Sequence, residues 1–146
     1  SQNSLNFFDS NYLLKEKQIN RKNTYIKILK LTPMINSNDV DKSIEFYTQN
    51  LNFNILSKKT QNGETESAIL NNGEFELIIM HDASNITGEN NFISLYFEIA
   101  NVQKIYDEIK NKVKILKPIE KTFYGTKEFS ISDNLGNKLT FVERLN

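Results

Sequence analysis

Few side chains in this sequence carry reactive chemistry, and none arrives with an evident partner. His81 is the only histidine, and Asp82 follows it. An imidazole titrates near neutrality and is the commonest general base. Read as a strand, however, the run Phe75 to His81 points adjacent side chains to opposite faces, so His81 and Asp82 are not a natural dyad. The same parity sets His81 on the face opposite Glu76. Ser94 and Ser130 have no base positioned to activate them. There is no cysteine, which excludes disulfides, thiolate catalysis and zinc–cysteine sites together. Glu143 and Asp133 read as strand-end and turn residues. No catalytic residue is assigned on these grounds.

The elements that must position such side chains follow from turn signals and periodicity. Asn62-Gly63 and Asn72-Gly73 predict type I′ hairpins, and Asp133 to Asn137 a third turn. Strands are expected near 27–36, 53–60, 65–70, 74–81, 92–99, 113–117, 126–132 and 137–143. Two segments switch to helical spacing. Asn38 or Asp39 caps a helix with Val40, Ile44, Tyr47 and Leu51 on one face; Asn101 caps another with Val102, Ile105, Tyr106 and Ile109. The order is strand, helix, three strands, then the same again. That is an α+β fold made of two βαβββ modules of about 55 residues each. Module one spans about 27–82, module two about 91–144, and Asp82 to Asn91 links them. Residues 1–24 read as an N-terminal extension to a single domain over 25–146. A short amphipathic helix with Leu5, Phe8 and Tyr12 on one side and a disordered tail are both open for it.

Composition narrows the function classes. The 146 residues suffice for one core, with 38% hydrophobic and 25% charged residues as in ordinary globular domains. No apolar run approaches the roughly 20 residues of a membrane span, and the N-terminus lacks the apolar stretch of a secretion signal. The expectation is a cytoplasmic protein without membrane contact. Eighteen basic and eighteen acidic residues cancel, and the only arginines are Arg21 and Arg144, which argues against a nucleic-acid partner. Lys58-Lys59 and the alternating Lys110, Lys112 and Lys114 read as solvated faces rather than phosphate sites.

Two stretches carry a family resemblance. Pro33-Met34-Ile35-Asn36-Ser37-Asn38-Asp39-Val40, leading to Phe46-Tyr47 and Leu51-Asn52-Phe53, resembles the opening strand and helix of the vicinal-oxygen-chelate superfamily, with Asn52 in place of the usual glycine. Tyr124 to Asp133 followed by Gly136-Asn137-Lys138-Leu139-Thr140-Phe141 resembles its closing hairpin. The likeness covers about 27–144 and is closest to the metal-free bleomycin-resistance type within the glyoxalase, bleomycin-resistance and dioxygenase group. It implies two modules whose mixed sheets curl into a cleft, commonly completed in a homodimer. Metal-using members place a ligand on each of four strands, and those positions here are Thr32, Glu76, Phe92 and Thr140. Glu76 alone is a strong ligand for a divalent ion, whereas a catalytic site needs about three. The resemblance therefore implies no metal and no cofactor.

Ligand-position parity then selects the cleft residues: Thr32, Met34, Asn36, Glu76, Ile78, Met80, Phe92, Ser94, Tyr96 and Thr140, joined by Val142. Tyr124 and Phe129 join them, with Phe123 and Ile131 as further candidates. This surface suits a flat, aromatic small molecule stacking on Phe92, Tyr96 or Tyr124, with Glu76 facing a cationic group or serving as a paired relic. The expectation is a binding or sequestering protein without catalysis. An enzyme with a metal-independent or displaced site remains open, as does an interaction module whose cleft is filled by its own side chains.

Overall fold

A computed structural model describes residues 25–83 and 93–146. Thr32–Asn146 forms one compact unit, and Ser1–Leu31 is assigned to another. The described part of the latter, residues 25–31, has no regular secondary structure, and Tyr25, Ile26, Ile28, Leu29 and Leu31 are exposed. The expectations for residues 1–24 and for the linker beyond Ala83 lie outside the described residues.

The compact unit repeats strand, helix and three strands twice. Module one consists of β1 (Met34–Ser37), α1 (Val40–Asn50), β2 (Asn54–Gln61), β3 (Glu64–Asn72) and β4 (Phe75–His81). Module two consists of β5 (Ser94–Glu98), α2 (Val102–Ile109), β6 (Lys114–Lys121), β7 (Thr126–Ser132) and β8 (Lys138–Arg144). Each module is a four-stranded mixed sheet, ordered β1-β4-β3-β2 and β5-β8-β7-β6. The first strand of each pairs parallel with the last, Met34 beside Ile78 and Tyr96 beside Thr140. The remaining pairs are antiparallel.

Alternation along the strands divides each sheet into two faces. Ile35, Ala68, Leu70, Leu77 and Ile79 are buried with Val40, Ile44 and Tyr47 of α1. Phe129, Ile131, Leu139 and Phe141 pack in the same core with Val102 and Ile109 of α2. Tyr106 meets Phe129 edge-on at 5.1 Å, and Phe129 and Phe97 each stack on Phe141.

Helix and turn chemistry differs from the sequence reading in three places. Asp39 is the N-cap of α1, accepting from the Lys42 amide at 3.2 Å. Asn101 also occupies the N-cap of α2, but its backbone is left-handed and its side chain makes no cap bond. The Val102 amide is satisfied from β8 instead, donating to Glu143 Oε1 at 2.9 Å. Asn62-Gly63 takes the two positive φ values of a type I′ turn, whereas in the second hairpin only Gly73 is positive, as a type II′ loop requires. The first strand is shorter than expected and begins at Met34. Pro33 has no amide to donate, although its carbonyl still accepts from Ile78 at 3.0 Å.

The modules are joined by polar ties. Tyr47 Oη on α1 donates to Asp133 Oδ2 in the β7–β8 turn at 2.6 Å. Asn134 Nδ2 donates to Ser43 Oγ at 3.0 Å, and Ser43 in turn meets Ser37 Oγ at 2.8 Å. Asp133 also accepts from the amides of Leu135 and Asn137 and from Asn137 Nδ2, so its buried carboxylate has four donors.

Candidate functional site

The face of the second sheet turned away from α2 is built by β5, β7 and β8. Tyr96 and Glu98 project from β5, Glu128 and Ser130 from β7, and Thr140 and Val142 from β8. Ser130 Oγ and Thr140 Oγ1 satisfy each other at 2.9 Å. Val142 is fully buried on this face although it lies outside the helix-side core. Glu128 is only 7% exposed, and its carboxylate accepts from Tyr124 Oη at 2.9 Å and Thr126 Oγ1 at 3.1 Å. Tyr124 reaches it because Gly125 takes a φ of 87°, which turns the chain from Tyr124 into β7. The Gly125 carbonyl is then fixed by the Leu145 amide at 2.8 Å.

Two phenols stand over this carboxylate with their rings half in solvent, Tyr96 at 55% and Tyr124 at 51% exposed. Partial burial raises the pKa of both, and the Glu128 charge raises them further, through a hydrogen bond in the case of Tyr124. Both are neutral donors at physiological pH. The patch therefore offers two aromatic surfaces, neutral hydroxyls and one buried carboxylate.

The sequence-selected residues fall into separate groups. Met34, Asn36, Glu76, Ile78 and Met80 share the open face of the first sheet, where Met34 is exposed and Glu76, Ile78 and Met80 are half-buried. Thr32, half-buried, precedes β1 on the same alternation. Ser94, Tyr96 and Thr140 share the open face of the second sheet, and Tyr124 overhangs it. Among the described residues no strand of one sheet pairs with a strand of the other, and no hydrogen bond joins the two open faces. Phe129 is a correction. It is fully buried against Tyr106 and Phe141 on the helix side, so it has no surface to give a ligand, and Ile131 is buried likewise. Phe92 lies outside the described residues. Thr126 and Glu128 were missed by the sequence reading. The signal was present, because Glu128 shares the parity of Ser130 beside Thr140.

The donors at the inherited ligand positions do not fit a metal ion. Thr140 is engaged with Ser130 and stands beside Tyr96, a phenol. Thr32 contributes a hydroxyl, and Glu76 is the only carboxylate of the set. Among the described residues no group of three or more His, Asp or Glu lies close enough to hold an ion. His81 is exposed at the end of β4.

A cavity of about 570 Å³ runs along the free edge of β5. Leu51, Phe53, Phe97, Ile105 and Phe141 line it, Phe75 stands exposed at its mouth, and Tyr96 and Glu98 form one lip. It joins the C-terminal end of α1 to the helix side of module two.

Residues 28–141 match the family model described as the Glyoxalase/Bleomycin resistance protein/Dioxygenase superfamily. The chain belongs to that superfamily. Among solved structures, TioX from Micromonospora sp. ML1 superposes with a TM-score of 0.69 at 14% identity, over 79% of this chain and 98% of its own. The bleomycin-binding protein from bleomycin-producing Streptomyces verticillus, complexed with copper(II)-bleomycin, gives 0.58 at 21% identity over 80% and 97%. Lactoylglutathione lyase from Agrobacterium tumefaciens gives 0.61 at 15% identity over 78% and 92%. At these identities the likeness shows the βαβββ fold that this superfamily member shares with a drug binder and a lyase alike. No curated protein matches the chain.

Proposed function

We propose that the chain is a non-catalytic binding protein for a small aromatic molecule, held on the open face of the second sheet. The observation that carries this reading is the pair of half-exposed tyrosines on one face, Tyr96 beside Thr140 and Tyr124 bonded to Glu128, with Glu128 and Ser130 buried between them and the sheet. Flat ligands gain most from such surfaces, because a ring buries a large area in a defined orientation. Tyr96 and Glu98 also form one lip of the cavity along β5, whose interior lies on the helix side of the sheet. The open face of the first sheet carries exposed Met34 beside half-buried Ile78 and Met80, and a second copy of the chain is the partner that would close it into a cleft. The bleomycin-binding relative lends the reading support by analogy. The expected location is the cytoplasm.

A metal-independent enzyme is the second reading, favoured by the hydrogen-bonded Tyr124–Glu128 pair, a phenol and a carboxylate arranged as a proton relay requires. A thermal-shift screen against aromatic metabolites, drugs and divalent metals separates the readings. Stabilisation by an organic compound that is recovered unchanged supports binding. Conversion of that compound supports the enzyme, and a saturable shift with a metal alone contradicts the assignment of the site.

A further inference from the structure

Three glutamates lie in one row across the open face of the second sheet. Register sets Glu120 beside Glu128, Glu128 beside Val142, and Val142 beside Glu98. The two outer carboxylates each have a cation: Lys117 Nζ is 2.8 Å from Glu120, and Arg144 Nε is 2.8 Å from Glu98. Glu128, in the middle and the most buried of the three, accepts from the hydroxyls of Tyr124 and Thr126. No ion pair reaches it among the described residues. The Lys117 cation acts on it electrostatically without forming a contact; burying a carboxylate with no cation in direct contact is costly, and hydroxyl donors offset only part of that cost. Its two oxygens offer about four acceptor sites, of which the described residues use two. The rings of Tyr96 and Tyr124 are half in solvent, and the Glu128 charge acts on both phenols.

We propose that Glu128, with the rings of Tyr96 and Tyr124, forms a subsite for the cationic group of an organic ligand, an alkyl- or aryl-substituted ammonium. The ligand cation gives the carboxylate a directly paired countercharge, and the aromatic rings attract the cation while covering its apolar substituents. A metal ion is a poorer fit, because neither phenol is ionised at physiological pH and one carboxylate is too few ligands. Glu76, on the other sheet, is not part of this subsite. The inference rests on the binding reading above and narrows it to a ligand class.

The probes are benzyltrimethylammonium and its neutral counterpart benzyl alcohol, titrated by calorimetry at low and high sodium chloride. Wild-type protein is expected to prefer the cation by about tenfold or more, a preference that shrinks with salt. Glu128→Gln keeps an acceptor for Tyr124 and Thr126, so it should abolish the preference while leaving benzyl alcohol binding intact. Tyr96→Leu, at an exposed position, should weaken the cation by about fivefold. Equal affinity for the two probes overturns the inference and leaves the binding reading standing. So does an undiminished preference in folded Glu128→Gln; if that variant does not fold, unchanged cation affinity in Tyr96→Leu decides the same way. No binding of either probe, together with no stabilisation across the aromatic panel, removes both.

Discussion

Tyr47 Oη donates to Asp133 Oδ2 across 2.6 Å, joining two residues 86 positions apart. One belongs to the helix of the first module and the other to the last turn of the second, and both are buried. The superfamily fold is thus locked by a phenol–carboxylate bond between its halves, while the same pairing of groups, Tyr124 with Glu128, is left at the edge of solvent on the candidate binding face.

Tyr47→Phe should therefore destabilise the protein by about 1–3 kcal/mol, because a buried charged acceptor loses a donor. Urea unfolding measures this directly. A loss below about 0.5 kcal/mol would mean that the amides of Leu135 and Asn137 hold the Asp133 turn without help from α1.

The same bond sets an alkaline limit. Burial raises the Tyr47 pKa well above its ordinary value, and the Asp133 charge adds to that. A raised folded pKa means that the stabilisation is complete below the unfolded value of about 10, and is lost as pH rises through the folded pKa. Wild-type stability should fall more steeply above pH about 10 than that of Tyr47→Phe. Parallel profiles for the two proteins would contradict this.

At the start of α2 the backbone and the cap are separate. Asn101 holds a left-handed conformation that glycine adopts freely, so Asn101→Gly should be neutral or mildly stabilising, and Asn101→Ala should cost about 1 kcal/mol. Glu143→Ala removes the acceptor of the Val102 amide and should cost about 0.5–2 kcal/mol. Thermal melts of the three variants check the assignment, and a larger loss for Asn101→Gly than for Asn101→Ala would refute it.

Phe129 and Tyr96 should separate fold from function. Phe129→Ala opens the core beneath α2 and should cost about 3–5 kcal/mol. Tyr96→Ala, at an exposed position, should change stability by about 0.5 kcal/mol or less while weakening ligand binding. Comparable destabilisation by the two would place Tyr96 in the core rather than in the site.

Periodicity and turn chemistry made most of the architecture legible. The duplicated order, both helices and the expected faces of β4, β5 and β8 follow from alternation that any burial-driven sheet imposes on its sequence. Asn52, standing where the family has glycine, does take a left-handed φ of 57°. What the sequence concealed depends on contacts between distant segments. The cap on α2 comes from Glu143, 41 positions away, so the local Asn101 signal named the position but not the bond. The face of Glu128 follows from its alternation with Ser130, but its burial depends on Tyr124 and Thr126. Phe129 and Ile131 were both expected at the cleft, whereas their alternation with Glu128 and Ser130 sets them on the helix side, where both are buried. The inherited metal positions directed attention to Glu76, and the buried acid of the second sheet stands elsewhere.

Backbone amide chemical-shift mapping, with the most stabilising aromatic compound from the thermal screen, tests the central claim most directly. Binding at the proposed site should move the amides of β5, β7 and β8 around Tyr96, Glu128 and Thr140, and those of the Thr122–Gly125 loop, saturably and together. Shifts confined to the outer surface of α1, or none at concentrations that stabilise the protein, would contradict a ligand site on the open face of the second sheet.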